Sequence, residues 1–156
     1  MAADSLSYGE QKENMMDPSH QFVAELFQLA RRWRARLDER LKPEGHSKSS
    51  WAVLFWLSRS PEGMTQSELA EEVGIETSTL TRQLDTLEAQ GLVVRLAVPG
   101  DRRAKLVRLT GEAWPQLQVI GEITKAVREE LLDDIDPQAV ETALAVLQQI
   151  RAKLDR

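Results

Sequence analysis

From Phe22 onward, apolar residues recur at steps of three or four. Phe22, Leu26, Leu29, Trp33, Leu37 and Leu41 form one stripe along a helix, with Arg32, Arg36 and Arg40 on another face. Pro43 and Gly45 end that pattern. Ser47 can cap a second helix whose apolar residues, Trp51, Val53, Leu54, Phe55 and Leu57, run all the way round, which predicts enclosure by other elements. The run SPEG at 60–63 stops it. Thr65 and Glu68 make the S/T-x-x-E capping box of a short third helix through Leu69, Ala70 and Val73, which Gly74 closes in the left-handed conformation. After Ile75 and Glu76, the segment TSTLTRQLDTLEAQ lines up Leu80, Leu84 and Leu87 as the buried edge of a fourth helix, and Gly91 ends it.

The period then changes. LVVRLAV at 92–98 and KLVRL at 105–109 are rich in β-branched residues and partly alternating, so they predict a hairpin whose long tip contains Pro99 and Gly100. Thr110 can cap a fifth helix carrying Leu117, Ile120, Thr124, Val127 and Leu131, with Pro115 near its first turn. Asp136 and Pro137 suit the N-cap and first position of a sixth, striped by Val140, Ala143, Leu144, Leu147, Ile150 and Leu154. Residues 1–16 show no period and predict a mobile tail, so the expected architecture is a single mainly α domain over 17–156. Two helices joined by a tight glycine turn and followed by a hairpin are the order of a winged helix-turn-helix, here residues 47–110.

Composition narrows the chemistry. The chain has 156 residues, 42% apolar and 29% charged, and no cysteine, which excludes disulfides, thiolate nucleophiles and Cys-ligated metals. The two histidines, His20 and His46, are far apart, and no P-loop or G-x-G-x-x-G run is present, so an enzyme is not expected and no metal or cofactor is implied. No apolar run approaches the roughly 20 residues of a bilayer span, and the first residues do not read as a signal peptide; a cytoplasmic protein without membrane contact is the expectation.

The formal charge is -5, yet the segment from Arg82 to Arg108 holds six basic residues against three acidic ones. Screening over about 8 Å at physiological salt lets such a local excess attract phosphate although the rest of the chain is acidic. On the fourth helix Thr79, Arg82, Gln83 and Thr86 fall at i, i+3, i+4 and i+7, opposite the leucines. Hydroxyls reach phosphates or bases, Gln can pair with adenine and Arg with guanine, which suits a major groove; Ser78, at the helix start, lies where free N–H groups can hold a phosphate.

The run TQSELAEEVGIETSTLTRQLDTLEAQGLV together with DRRAKLVRLT resembles the MarR-type regulators, most closely the SlyA branch, with Asp101, Arg103, Leu109 and Thr110 at the D-x-R and L-T positions of the wing signature. The resemblance spans about His20 to Arg156. It implies a homodimer in which helices within 17–45 and 111–156 interlock with a partner's, and two winged lobes (47–110) bind a pseudo-palindromic operator in double-stranded DNA. It also implies that Thr77, Ser78, Thr79, Arg82 and Gln83 enter the major groove and that Arg102 and Arg103 meet the minor groove. Asp101 can orient a neighbouring guanidinium, and Lys105 can add a phosphate contact; Arg108 is farther from the tip and the weakest candidate.

Members of such a family respond to small aromatic acids, phenolics or related anions. Here Trp33, Trp51 and Trp56 fall in the first two helices with Arg36 and His46 nearby in sequence, so aromatic walls plus a cation predict a site for an aromatic carboxylate, phenolic or acyl ligand; core packing is the competing role for the tryptophans. The competing function is a winged-helix module for protein contacts that does not bind specific DNA. An apolar, arginine-poor wing would favour that reading, and this wing is the reverse.

Overall fold

The computed structural model describes residues 17–45, 50–98 and 101–155, with the backbone alone at 101–103. The expected tail at 1–16, His46, the Ser47 cap and the turn at Pro99 and Gly100 lie outside the described residues. Helix α1 (Pro18–Leu41) opens with proline in its first turn and runs into a 3-10 turn (Lys42–Glu44) closed by Gly45. Helix α2 (Ser50–Ser58) is largely enclosed, as its all-round apolarity predicts: Trp51, Val53, Leu54 and Leu57 are buried, while Phe55 is half-buried.

Helix α3 (Gln66–Val73) starts on the expected box. The Glu68 N–H donates to Thr65 Oγ1 at 3.3 Å, and the Thr65 N–H donates back to Glu68 Oε2 at 2.8 Å. At its other end Gly74 takes φ 71°, and its N–H and that of Ile75 both reach the Ala70 carbonyl. A side chain disfavours that backbone region, so glycine allows the sharp entry into α4 (Thr77–Ala89).

Strands β2 (Val93–Val98) and β3 (Asp101–Leu109) pair antiparallel, with Val93 opposite Leu109 and Ala97 opposite Lys105. The register slips between Ala97 and Val98, and β3 begins at Asp101, earlier than the alternation predicts. A strand that sequence pattern does not announce, β1 (Met64–Thr65), adds to the other side of β3, so the sheet order is β1-β3-β2. Gly63 permits this approach: at φ +90° an added Cβ would stand 2.6 Å from the Val107 carbonyl oxygen. Gly63→Ala is therefore expected to destabilise the fold by about 1–3 kcal/mol, seen as a lower midpoint in thermal or urea unfolding.

Thr110 does not cap the fifth helix. Its hydroxyl donates to the Gly91 carbonyl at 2.5 Å, tying the end of β3 to the end of α4, and a 3-10 turn (Gly111–Ala113) intervenes. Helix α5 (Trp114–Leu132) then begins without a side-chain cap, with Pro115 in the first turn where its missing N–H removes no helical bond. Helix α6 (Pro137–Leu154) follows, capped by Asp136 accepting from the Gln138 N–H at 3.1 Å.

The core joins the lower half of α1, α2, the α3–α4 pair, the sheet and α5 through Leu41, Leu54, Leu69, Leu80, Leu84 and Ile120, all shielded from solvent. The periodic stripes of the terminal helices are another matter. On α1 only Leu37 and Leu41 are buried, and α6 buries no residue; Leu29 is 56% exposed and Leu144 52%.

Candidate nucleic-acid interface

Helix α4 is seated by Leu80, Leu84 and Leu87, so its other side is turned outward. Thr77, Ser78, Thr79, Arg82 and Thr86 are exposed and Gln83 is half-buried. Thr81 and Thr86 spend their hydroxyls on helix carbonyls, of Thr77 at 2.9 Å and Arg82 at 3.2 Å. The Arg82 guanidinium makes no hydrogen bond or ion pair with the described residues and is available to an incoming partner. The same face opens on a polar depression of about 540 Å³ shared with Ser50 and Gln116. Glu76, the residue before the helix, makes no side-chain cap.

The basic residues of the wing divide sharply. Arg95 on β2 is clamped to α4: Nη2 reaches Asp85 Oδ1 at 2.7 Å and Glu88 Oε2 at 2.6 Å, and the Arg95 backbone N–H donates to Glu88 Oε1 at 3.1 Å. Arg108 donates from Nε to the Glu62 carbonyl at 2.6 Å. Both therefore act within the lobe, and counting charge along the sequence overstates the positive surface by these two. Lys105 is exposed on β3. The side chains of Asp101, Arg102 and Arg103 lie outside the described residues, and the backbone places them at the start of β3, at the hairpin tip.

The hydrogen bonds from Arg95 hold the Glu88 carboxyl below its usual range. A carboxyl with a lowered folded-state pKa contributes stability above its unfolded value, near 4.3, and loses it as pH falls through the folded value. The difference in melting temperature between wild type and Glu88→Gln should accordingly be constant from pH 8 to about 5.5 and shrink towards zero in stronger acid.

A second feature is lined by other residues of the first, second and fifth helices. Trp33, Trp51, Phe55 and Trp56 wall a cleft of about 540 Å³ between α1, α2 and α5. Trp51 is held by donating from Nε1 to Asp38 Oδ1 at 2.6 Å, and Phe55 meets Trp56 edge to face at 5.7 Å. The sequence-predicted tryptophans are thus brought together, but Arg36 is not with them. It is drawn to α5, where its Nη2 and that of Arg40 grip the two oxygens of Glu130 at 2.5 and 2.6 Å. The cations on the cleft are Arg34, Arg59 and Arg128, against one acid, Glu72. Sequence spacing pointed to none of the three, since only the folded chain sets Arg128 beside α1. Among the described residues no group of acidic or imidazole side chains is placed to hold a metal ion, and no helix is long and apolar enough to cross a membrane.

A glycine-turned helix pair, an outward polar helix face and a two-stranded wing clamped to it define a winged helix-turn-helix protein. Residues 45–104 match the model of the MarR family. Over 86% of this chain and 98% of the other, the structure is similar to that of the transcriptional regulator PA3341, with 46% identity and a TM-score of 0.78. A MarR-family regulator from Rhodococcus sp. RHA1 is 26% identical over 86% of this chain and 95% of its own, with a TM-score of 0.74. CouR from Rhodococcus jostii RHA1, solved bound to p-coumaroyl-CoA, is 27% identical over 86% of this chain and 94% of its own, with a TM-score of 0.71. The chain belongs to the MarR family of transcriptional regulators.

Proposed function

We propose that the protein is a homodimeric, sequence-specific repressor that binds pseudo-palindromic operators in double-stranded DNA and is controlled by a small aromatic or acyl anion. Within the family we assign it to the SlyA-like branch on the strength of DRRAKLVRLT, and we assign it to the cytoplasm, where such operators are found. The observation that carries the DNA reading is the contrast between Arg82, without a partner among the described residues on the exposed face of α4, and Arg95 and Arg108, both engaged inside the lobe. Arg82 reads a base edge, with Thr77, Ser78, Thr79 and Gln83 contacting phosphates or bases beside it. Arg102 and Arg103 enter the minor groove, oriented by Asp101, and Lys105 adds a phosphate contact.

The exposed apolar faces of α1 and α6 support the dimer, because a lone chain would leave them in water. The ligand reading is supported by the aromatic walls and the excess of cations at the cleft, and by the aromatic acyl thioester bound in CouR. Trp33 and Trp51 belong to this site; Arg34, Arg59 and Arg128 take the role the sequence assigned to Arg36. Selection of duplexes from a random library by the wild-type protein tests the DNA reading. The expected product is an inverted repeat, and recovery of no motif would reject it.

A further inference from the structure

The guanidinium of Arg34 stands between the cleft and the reading helix. From α1, its Nη1 donates to the carbonyl of Val73 at 2.7 Å. Val73 is the last residue of α3, so this carbonyl is one of those a helix end leaves without an internal partner, and a cation there also suits the negative end of the helix dipole. Only Gly74, Ile75 and Glu76 separate that point from α4. The other nitrogen, Nη2, is shielded from solvent and has no hydrogen-bond partner among the described residues, while the side chain lines the tryptophan cleft. A buried donor left unsatisfied is costly, and a carboxylate is a stronger acceptor for a guanidinium than a peptide carbonyl, with two oxygens to match its fork.

We propose that Arg34 couples occupancy of the cleft to DNA binding: an anionic group entering beside Trp33 and Trp51 draws the Arg34 guanidinium off the Val73 carbonyl, releasing the end of α3 and lowering DNA affinity. The inference rests on the cleft being the ligand site. In the unliganded protein Arg34 ties the α3–α4 turn to α1, the helix proposed to hold the dimer together. With that tie broken, the two reading helices lose their fixed relation to the dimer frame. An aromatic ligand without an anionic group would fill the cleft and leave the tie intact.

The test uses the full chain, a duplex selected by the wild-type protein, 4-hydroxycinnamate as probe and 4-hydroxycinnamyl alcohol as its uncharged analogue. In wild type both compounds should change tryptophan fluorescence, but only the acid should weaken DNA binding, by a factor of roughly 5–150. Arg34→Met should bind DNA more weakly by a similar factor without any ligand, still report the acid by fluorescence, and show no further loss of DNA affinity. Arg34→Lys, which keeps a charge on the helix end, should restore most ligand-free affinity, separating the tie from a folding defect. Amide exchange at Gly74 and Ile75 in wild type should quicken with the acid and not with the alcohol. Wild-type affinity in Arg34→Met, a retained response to the acid in that variant, or unchanged exchange at the turn would each overturn the coupling. If wild type shows neither a fluorescence change nor a DNA response, the cleft reading itself fails and the coupling goes with it.

Discussion

A Leu144→Glu, Leu147→Glu double variant is expected to sediment at half the mass of wild type and to bind a full operator about 10²–10⁴-fold more weakly. Both leucines lie on α6, one turn apart and exposed at 52% and 42%. That helix has no buried residue in the single chain, so placing carboxylates on its exposed apolar face opens no part of the protomer's core. What it opposes is the proposed burial against a second copy, where an unpaired charge is costly. The loss on DNA follows because two linked lobes bind the second half-site at a high effective concentration, whereas separated lobes must each bind alone. Binding to an isolated half-site should be nearly unchanged, which distinguishes dimer loss from damage to the lobe. Unaltered mass in sedimentation would remove α6 from the interface.

Arg82→Ala should cost about 1–3 kcal/mol in each half-site and relax base preference at one position of the selected motif. The side chain is exposed and has no partner among the described residues, so its removal should leave the melting temperature within a degree or two. Arg95→Ala is the informative contrast. It breaks the clamp to Asp85 and Glu88, and should lower both stability and DNA affinity without changing which base is preferred. A uniform loss of affinity in Arg82→Ala, with the selected motif intact, would make Arg82 a phosphate contact instead of a base reader.

Local signals in the sequence carried most of the fold. The Thr65 and Glu68 box, the Gly74 stop and the leucine line of α4 are each decided by residues within a turn of one another, and all three form as expected. Strand β1 could not be foreseen in the same way, because its two residues are strand only by pairing with Leu106 and Val107, remote in sequence. Thr110 satisfies every local criterion for a cap, yet its hydroxyl finds the Gly91 carbonyl across the lobe. The charged side chains were least legible. Arg34 and Arg36 sit two positions apart on one helix; what separates them is that one faces the end of α3 and the cleft while the other faces Glu130 of α5. Arg95 looked like part of a basic edge until Asp85 and Glu88 were seen to take it up.

The clamp from Arg95 to α4 also sets a length. Because Arg95 pins the wing to α4, on the DNA-binding mode proposed above the two would approach a duplex as the jaws of one caliper, with their separation held by the clamp. A duplex in which one base pair is inserted between the major groove proposed for α4 and the minor groove proposed for the wing would move the second contact by about 3.4 Å along the axis and rotate it around the helix. The intact protein should tolerate that insertion poorly, and the Arg95→Ala protein, weaker on every site, should discriminate less between the two spacings.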